Sequence, residues 1–349
     1  MKNQNIEVVN QNEEVEYKAR KGAPLSRHVL GADIGNGYIK VVYSNSISGT
    51  LEKFMLETGV DINREDEKVE DTMYINGVPH NLSCKDKTVT RGYLTKDNEY
   101  TIVNMYRAMY EVARRTGFTT KKFVIGLGSS LDTYKDKEEK EKFRARALEN
   151  KKVKIEHKGK IIELEIEDVI VQPETVSSIY NIKNFDKNEI TYIVDLGTQN
   201  SQIVKYYKGV VWEETRPRDY GYQSILEGLQ DEYRKSGKAL DTDRISVNIE
   251  KGRDKKLINN YVIDSFLKGV ITNELKKMKA DLEYDQIVFV GGTSERFREQ
   301  ILKVFKNAKF SEDPVFSNAI GMYMRTMATL KKREQVEKEQ KKSSQKEGK

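Results

Sequence analysis

Two stretches of the chain share one pattern: an apolar strand ends at an aspartate, turns through a glycine and returns as a second strand. The first is HVLGADIGNGYIKVVY (residues 28–43), and the second is YIVDLGTQNSQIVKYY (residues 192–207). Superposing Asp33-Ile34-Gly35 on Asp195-Leu196-Gly197 also aligns the flanking strands. Glycine suits such a turn because the backbone there approaches a ligand closely or adopts a positive φ. The repeat therefore predicts two duplicated domains with similar strand–turn–strand units.

The composition of each turn indicates what it can bind. An aspartate at a strand end places a carboxylate at the mouth of the turn, beside backbone N–H groups. Two such hairpins facing each other across a cleft would suit a polyphosphate with its Mg²⁺. Either turn alone is better explained as an ordinary structural hairpin, so the prediction depends on the pair together with a third glycine element.

A third glycine element, IVFVGGTSERFREQI (residues 287–301), strengthens the prediction of a polyphosphate site. An apolar strand runs into Gly291-Gly292-Thr293, and we expect a helix opened by Ser294 with Glu295 in its first turn. Glycines let a flat ring lie against the backbone, and a helix N-terminus favours an anionic group. The plainer alternative is a capped strand-to-helix turn. The chain contains neither a Walker G-x-x-x-x-G-K-[ST] loop nor a Rossmann G-x-G-x-x-G fingerprint.

The composition narrows the functional classes. Of the 349 residues, 33% are charged, and the apolar runs are far shorter than the roughly 20 residues that span a bilayer. Cys84 is the only cysteine, which excludes an intrachain disulfide and suits a reducing cytoplasm. With three histidines, a hard oxygen-ligated ion such as Mg²⁺ is favoured over a transition metal. The formal charge of +6 permits an acidic partner without requiring one.

Strands and helices alternate along the chain, which predicts α/β layers. The helix YTIVNMYRAMYEVARRTG should end at Gly117, and VKIEHKGKIIELEIEDVIV should be a hairpin turning at Lys158–Gly159. Further predicted elements are a buried strand KKFVIGLG, a charged surface helix KDKEEKEKFRARALEN, a helix after Gln172-Pro173-Glu174, helices near 221–236 and 258–279, and a helix after Asn318.

The Asp-x-Gly turn, the second Asp-x-Gly turn and the Gly-Gly-Thr junction, in this order, resemble the phosphate-1, phosphate-2 and adenosine motifs of the actin/Hsp70/sugar-kinase superfamily. Within it, GADIGNGYIKVVY most resembles the bacterial actin-like proteins of the ParM and Alp plasmid-segregation group. FVIGLGSSLDTY, VIVQPET and SEDPVFSNAIGMYMRTM are similar to later segments of that group. The resemblance covers roughly residues 28–330, with Gly128 where a proline is common. It implies an α/β, actin-like (duplicated RNase H-like) two-domain fold with an interdomain nucleotide cleft and a small insert subdomain.

The resemblance also suggests domain boundaries. Residues 1–26 are predicted to be a flexible N-terminal arm, 27–185 domain I with an insert at roughly 58–100, and 186–317 domain II. Residues 318–332 would form a C-terminal helix returning to domain I. The charged tail 333–349 is either a tether or filament contact, or a solvated extension of that helix; we favour the extension.

Roles in binding ATP, with GTP as an alternative, follow from the resemblance. Asp33 would lie beside the Mg²⁺ and act through its water shell, and Asp195 would complete the metal environment. Lys40 would direct its ammonium at the β- and γ-phosphates, and the alternative is a lysine that faces solvent. The second turn has Gln202 at this position, an asymmetry that favours the phosphate role for Lys40. The remaining nucleotide-binding candidates are Gly35, Asn36, Gly37, Tyr38, Gly197, Thr198, Gln199, Gly291, Gly292 and Thr293, with Glu227 and Arg244 as weaker candidates.

Hydrolysis requires a water aimed in line at the γ-phosphorus and a group that orients or deprotonates it. Glu174 lies in the segment that resembles the family's catalytic connection and is the candidate base, with Gln172 as a second water-orienting candidate and Asp195 near the metal. The alternative for Glu174 is an ordinary first-turn glutamate stabilised by the helix dipole.

The function implied is a cytoplasmic ATP hydrolase that polymerises with ATP, disassembles after hydrolysis and segregates plasmid DNA. Its partners would be further copies of itself and a DNA-binding adaptor on a centromere-like plasmid site, with no membrane contact. No helix–turn–helix, zinc module or basic aromatic stripe indicates direct sequence-specific DNA binding. The alternatives are a small-molecule kinase of the same fold, revealed by substrate-dependent ATP consumption, and a non-dynamic scaffold or cytoskeletal filament.

Overall fold

The computed structural model describes residues 27–45, 50–59, 61–62, 71–82, 98–118, 121–215 and 220–347. The predicted N-terminal arm and much of the predicted insert lie outside these residues. The chain divides into two compact units. The first unit comprises the described residues up to Ser177 together with those from Ala319 onward, and the second unit comprises Ser178–Asn318.

The first unit is built on a mixed sheet in the order β3-β2-β1-β7-β9-β8-β5-β6-β4 among the described residues. Its strands are β1 (His28–Ile34), β2 (Tyr38–Ser44), β3 (Leu51–Glu57), β4 (Asp61–Ile62), β5 (Thr72–Ile75), β6 (Val78–Asn81), β7 (Lys122–Ser129), β8 (Lys152–His157) and β9 (Lys160–Pro173). Its helices before Ser177 are α1 (Glu99–Arg115), α2 (Leu131–Lys135) and α3 (Lys137–Ala147), and a 3₁₀ helix, Val176–Asn181, leads into the second unit.

The second unit has its own sheet, in the order β12-β11-β10-β13-β14. Its strands are β10 (Thr191–Leu196), β11 (Ser201–Tyr207), β12 (Val210–Thr215), β13 (Gln286–Val290) and β14 (Lys309–Phe310). Its helices are α4 (Tyr222–Lys235), α5 (Thr242–Glu250), α6 (Lys255–Asn260), a π-helix Tyr261–Ile271, α7 (Thr272–Lys277), α8 (Gly292–Arg296) and α9 (Arg298–Val304), and the last helix, α10 (Ser317–Glu347), returns to the first unit.

The two sheets share one five-strand arrangement. In β3-β2-β1-β7-β9 the pairings are antiparallel, antiparallel, parallel and parallel. The order β12-β11-β10-β13-β14 has the same four pairings in the same sequence. In each unit the strand before the glycine turn is central and has a hairpin partner on one side and a parallel strand on the other. This confirms the predicted duplicated α/β fold.

Local sequence explains the elements that were predicted. Helix α1 buries Ile102, Tyr106 and Met109, and Gly117 follows it with a φ of 65°. Lys158 and Gly159 have positive φ values of 51° and 74°, and they join β8 to β9 in a tight hairpin. Two consecutive positive φ values match the right-handed twist of the flanking strands.

Glycines on β1 and β7 allow α10 to lie directly against the first sheet. A β-carbon on Gly31 would lie 2.2 Å from the Ala319 carbonyl oxygen, and one on Gly126 would lie 2.2 Å from Thr326 Oγ1. Any larger residue at these positions would push the helix away from the sheet. Beyond this contact, α10 continues into the charged C-terminal segment, where residues 331–341 are exposed. The charged segment belongs to the same helix, which ends at Glu347.

One predicted helix start is wrong by two residues. The helix after the third glycine element begins at Gly292, with Gly291 before it, and not at Ser294. Ser294 already lies within the first turn, where its hydroxyl donates to the Val290 carbonyl at 2.6 Å. The bond satisfies a backbone carbonyl at the end of β13, so Ser294 fixes the strand-to-helix junction without capping the helix.

Candidate functional site

The first glycine turn connects β1 to β2 and is closed by a bond from Gly35 N–H to the Tyr38 carbonyl at 3.0 Å. A β-carbon on Gly35 would lie 3.2 Å from that oxygen, which is tighter than an ordinary contact. Thr58 fastens the turn from outside: its hydroxyl donates to the Asn36 carbonyl at 2.9 Å, and its N–H donates to the Gly37 carbonyl at 3.2 Å. Thr58 is a positioning residue that the sequence patterns did not single out.

Asp33 and Lys40 lie opposite each other on β1 and β2. Because paired residues of antiparallel strands point to the same face, Lys40 is directed to the side of Asp33. Its Nζ lies 3.4 Å from Asp33 Oδ2, and its side chain is only 16% exposed. The lysine therefore lies along the sheet beside the carboxylate and does not extend freely into water.

The second glycine turn, between β10 and β11, repeats this geometry. Gly197 N–H donates to the Asn200 carbonyl at 3.0 Å, and a β-carbon on Gly197 would lie 2.9 Å from the same oxygen. Asp195 pairs with Gln202 just as Asp33 pairs with Lys40. The two turns thus have the same register and the same closing bond, which no comparison of short motifs alone establishes.

The Gly-Gly-Thr element packs directly on the second turn. Gly291 has a φ of 91°, and a β-carbon there would lie 2.5 Å from Asp195 Oδ1 and 2.4 Å from the Leu196 carbonyl oxygen. The Thr293 hydroxyl donates to the Gly197 carbonyl at 2.8 Å. The structure therefore brings together Asp195, Gly197, Gly291 and Thr293, which the sequence predicted to act together, within the second unit.

The N-terminus of α4 completes this cluster. Tyr222 N–H donates to the Gly197 carbonyl at 3.1 Å, and Gln223 N–H donates to the Thr198 carbonyl at 2.8 Å. Gly221, the residue before the helix, fits because a β-carbon would lie 2.5 Å from the Gln199 carbonyl carbon. Helix α4 thereby fixes the path of residues 197–199. Neither Gly221 nor the role of these two N–H groups was predicted from the sequence.

Asn318 is a further residue that the patterns missed. Its side-chain amide donates to Asp195 Oδ2 at 2.8 Å, and the two residues are 123 positions apart. This bond orients the carboxylate that the sequence assigned to the metal environment. The sequence pattern predicts only that a helix follows Asn318, and no local periodicity indicates such a contact.

Glu174 and Gln172 lie at the end of β9 in the first unit. Gln172 is buried and pairs with Gly128 on β7, and Glu174 N–H donates to the Ser129 carbonyl at 2.9 Å. Glu174 Oε1 lies 3.1 Å from the position that a β-carbon on Gly128 would take. Met322 Cε lies closer to that position, at 2.6 Å, so Gly128, which departs from the common proline, leaves room chiefly for Met322 and also for the Glu174 carboxylate. A six-residue 3₁₀ helix follows.

The weaker candidates lie on exposed helix surfaces. Glu227, on the second turn of α4, accepts a bond from Gln223 Nε2 at 3.1 Å. Arg244 is exposed on α5, where its N–H donates to the capping carboxylate of Asp241 at 2.7 Å. The Glu227 side chain therefore takes part in a local helix interaction, whereas Arg244 takes part through its backbone N–H.

A carboxylate therefore stands at the mouth of each turn, Asp33 in the first unit and Asp195 in the second. Within the described part of the chain, no group of three or more His, Cys, Asp or Glu side chains is arranged to hold a metal ion. Single carboxylates beside backbone amides suit Mg²⁺, which keeps several of its waters and is usually held by one or two carboxylates and substrate phosphates. The residues present thus fit a Mg²⁺–polyphosphate. In the described helices, no segment is both long and apolar enough to cross a membrane.

Comparison with known proteins identifies the fold. Residues 31–176 match the family model for the N-terminal domain of actin-like proteins. No curated protein sequence matches the chain.

Among solved structures, the Alp12 filament aligns with a TM-score of 0.65 at 20% identity over 87% of this chain and 99% of that chain. ParM of Bacillus thuringiensis with ATP aligns with a TM-score of 0.63 at 15% identity over 87% of this chain and 99% of that one. The archaeal actin homologue Ta0583 in complex with ADP aligns with a TM-score of 0.67 at 16% identity over 86% and 99%. The chain therefore has the actin-like fold, and its residues 31–176 are similar to the N-terminal domain of actin-like proteins.

Proposed function

We propose that this chain is an ATP hydrolase that assembles into filaments with Mg²⁺–ATP and disassembles after hydrolysis. The observation that carries the proposal is the duplicated glycine turn. Gly35 and Gly197 donate the same closing bond at 3.0 Å, and each turn has a carboxylate at the strand position two residues before the glycine. A polyphosphate with its metal ion is the ligand class that suits two such turns.

In this proposal the backbone carries most of the phosphate recognition. The first turn supplies N–H groups of Gly35, Asn36, Gly37 and Tyr38, and Lys40 supplies positive charge beside them. The second turn contributes Gly197, Thr198 and Gln199, and α4 holds the first two in place through their carbonyls. Asp33 and Asp195 hold the hydrated Mg²⁺, which when bound neutralises phosphate charge. The adenosine is received by Gly291, Gly292 and Thr293, because Gly291 packs on the second turn and Gly292 leaves open space beside it.

Hydrolysis is assigned to the end of β9. Glu174 orients and deprotonates the attacking water, and Gln172 assists in positioning it. The support is geometric: the peptide of Glu174 is bonded to β7, and Gly128 leaves space at its carboxylate. An anchored backbone at Glu174 limits the reorganisation that the reaction needs, which is what positioning catalysis requires.

The similar structures support nucleotide binding and self-assembly as the general kind of function. One is a ParM with ATP, one is an archaeal actin homologue with ADP, and one is a filament of Alp12. For this chain we extend the proposal to the cytoplasmic segregation of plasmid DNA. A separate DNA-binding adaptor would attach the filament to a centromere-like plasmid site, since the chain carries no recognised DNA-reading module.

The test is light scattering recorded in parallel with phosphate release. Purified protein receives Mg²⁺–ATP, Mg²⁺–GTP, Mg²⁺–ADP or no nucleotide. We expect scattering to rise with ATP and to decay as phosphate appears. A stable rise with negligible phosphate release would indicate a non-dynamic scaffold. Turnover that depends on an added small-molecule acceptor, with flat scattering, would overturn the proposal in favour of a kinase.

A further inference from the structure

The chain's single tryptophan, Trp212, lies largely in solvent on an edge strand. It is 62% exposed, and β12, which carries it, is the first strand of the second sheet. The pairing of β11 with β12 passes from Tyr206–Val211 to Lys205–Glu213, so Trp212 is the extra residue of a β-bulge. Bulges on edge strands re-aim side chains and interrupt pairing. Here the bulge presents a large aromatic ring outward.

The neighbours of Trp212 make a compact aromatic surface with a positive charge. The rings of Tyr207 and Trp212 lie edge to face with centroids 5.8 Å apart, and Lys208 Nζ lies 5.1 Å from the Tyr207 centroid. Lys208 and Gly209, with φ values of 51° and 80°, form the tight turn of this hairpin. We call Tyr207, Lys208, Val210 and Trp212 the tryptophan surface. Tryptophan and tyrosine are the residues most enriched where binding energy concentrates in interfaces.

The first unit carries a surface of complementary character. Tyr74 on β5 lies opposite Glu156 on β8, and Glu156 lies opposite Ile161 on β9. The three side chains therefore form a row across adjacent strands on one face of the sheet. Tyr74 is 40% exposed, Ile161 is 57% exposed, and Glu156 is exposed between them. Among the described residues, no ion pair involves Glu156. We call these three residues the tyrosine–isoleucine surface.

We infer that the tryptophan surface of one copy docks on the tyrosine–isoleucine surface of the next copy, with Lys208 facing Glu156. The inference rests on the proposed self-assembly and assigns it a contact. The tryptophan surface combines apolar groups with the cation Lys208, and the tyrosine–isoleucine surface combines apolar groups with the anion Glu156. Because one chain carries both complementary surfaces, the partner is a second copy of the chain. A contact between two different surfaces of one chain repeats from copy to copy, which builds a filament when the rotation does not close.

Because Trp212 is the only tryptophan, its fluorescence reports on this surface alone. Assembly is followed by scattering while tryptophan emission and acrylamide quenching are recorded on the same sample. We expect emission to move to shorter wavelength and quenching to fall severalfold as scattering rises with ATP, and both to reverse on disassembly. Assembly with Trp212 still fully quenched would overturn the inference and leave the proposed function standing. Absence of assembly with every nucleotide would overturn both.

Substitutions test the same contact without relying on Trp212 fluorescence. Trp212→Ala should raise the critical concentration about tenfold or more, whereas Trp212→Phe should retain most of the assembly. Leu302→Ala is the matched control, because Leu302 is also exposed (41%) in the second unit but lies on α9. Phosphate release measured below the critical concentration should be unchanged in all three variants, which shows that they are folded. Normal assembly of Trp212→Ala would overturn the inference.

A charge exchange identifies the partner surface. Lys208→Glu and Glu156→Lys should each raise the critical concentration about fivefold, because each places like charges across the contact. The double variant should restore assembly towards that of the unmodified protein. Failure of the double variant to recover would overturn the assignment of the tyrosine–isoleucine surface, even if Trp212 becomes buried on assembly.

Discussion

Gly291 illustrates how a single residue determines whether the second-unit cluster can form. Its φ of 91° lies in a region that residues with side chains rarely adopt, and Asp195 and Leu196 close the space where a β-carbon would be. Gly291→Ala should lower the free energy of unfolding by about 2 kcal/mol or more, from backbone strain and the displaced carboxylate. The urea midpoint measures this effect.

The neighbouring glycine provides the control for that experiment. Gly292 is the first residue of α8, and nothing lies within 4 Å of a β-carbon built there. Gly292→Ala should leave the urea midpoint unchanged or raise it slightly, since alanine favours helix. Equal effects of the two substitutions would show that the close approach of Gly291 to Asp195 does not contribute to stability.

Glu174 is the residue on which the proposed hydrolysis depends. Glu174→Ala and the isosteric Glu174→Gln should both assemble with ATP but release phosphate about a hundredfold more slowly, because a positioned base contributes at least that factor. The filaments should consequently persist. Scattering with parallel phosphate release checks both effects, and Glu189→Ala, on the exposed connection before β10, serves as the control. Lost assembly with unchanged turnover would contradict the assignment.

At the scale of elements, His28 links β1 to the end of α1. It is fully buried, with Nε2 3.2 Å from the Thr116 hydroxyl and its ring centroid 5.3 Å from that of Phe123. Burial lowers the pKa of His28 to about 4, from an ordinary value of 6.5. Between these two pH values the unfolded chain binds a proton that the folded chain does not. His28 therefore destabilises the fold as the pH falls below 6.5.

The predicted pH effect can be isolated by removing the titrating group. From pH 7 to pH 5, His28 should cost the protein about 2 kcal/mol of unfolding free energy. His28→Gln should remove that part of the pH dependence, whatever its effect on stability at pH 7. Urea unfolding of both proteins across this range measures it. The pH dependence of stability that remains will include a contribution from His80, because burial also lowers the pKa of that side chain. Parallel curves for the two proteins would exclude a contribution from His28.

Local patterns predicted the elements whose form depends on neighbouring residues. Helix α1 follows from its apolar spacing and Gly117, and the β8–β9 hairpin follows from Lys158–Gly159. Helix α5 was not predicted, and neither was strand β12, whose exposed and half-buried residues give no alternation. The start of α8 was misplaced because Ser294 resembles a cap in sequence but bonds backwards to the strand.

The candidate site, like the fold, was predicted only where the signal is local. The turn residues are recognisable because a close backbone approach requires glycine, and that requirement is local. Thr58, Gly221 and Asn318 were missed because each acts on a partner that only the folded chain brings near. Threonine and asparagine are common polar residues, so the residue type alone does not indicate such contacts.

On the scale of the whole molecule, the five-strand arrangement occurs twice and each copy carries one Asp-x-Gly turn. The copies have diverged where the first sheet is extended by β8, β5, β6 and β4, which the second sheet lacks among the described strands. The two surfaces inferred to join successive copies lie one in each half. The extension carries Tyr74 and Glu156 of the tyrosine–isoleucine surface, and Ile161 lies on the adjoining strand β9. The hairpin at the edge of the second sheet carries the tryptophan surface.

The charge of the whole chain bears on how it would engage DNA. The net charge of +6 comes from 61 basic and 55 acidic residues, and many cations are already paired along helices. Lys142, for example, lies 2.8 Å from Glu138, and Arg298 lies 2.5 Å from Glu295. Such pairing leaves fewer charges to displace counterions from DNA, so we expect only weak binding that depends strongly on salt.

Fluorescence anisotropy with labelled duplexes tests this expectation. Binding should be equal for a plasmid-derived duplex and a scrambled duplex of the same length, and it should be lost between about 50 mM and 200 mM salt. Addition of ATP should strengthen binding through multivalency once filaments form, without creating a sequence preference. A preference for one duplex that survives about 200 mM salt would show that the chain reads DNA directly. The proposed adaptor would then be unnecessary for attachment.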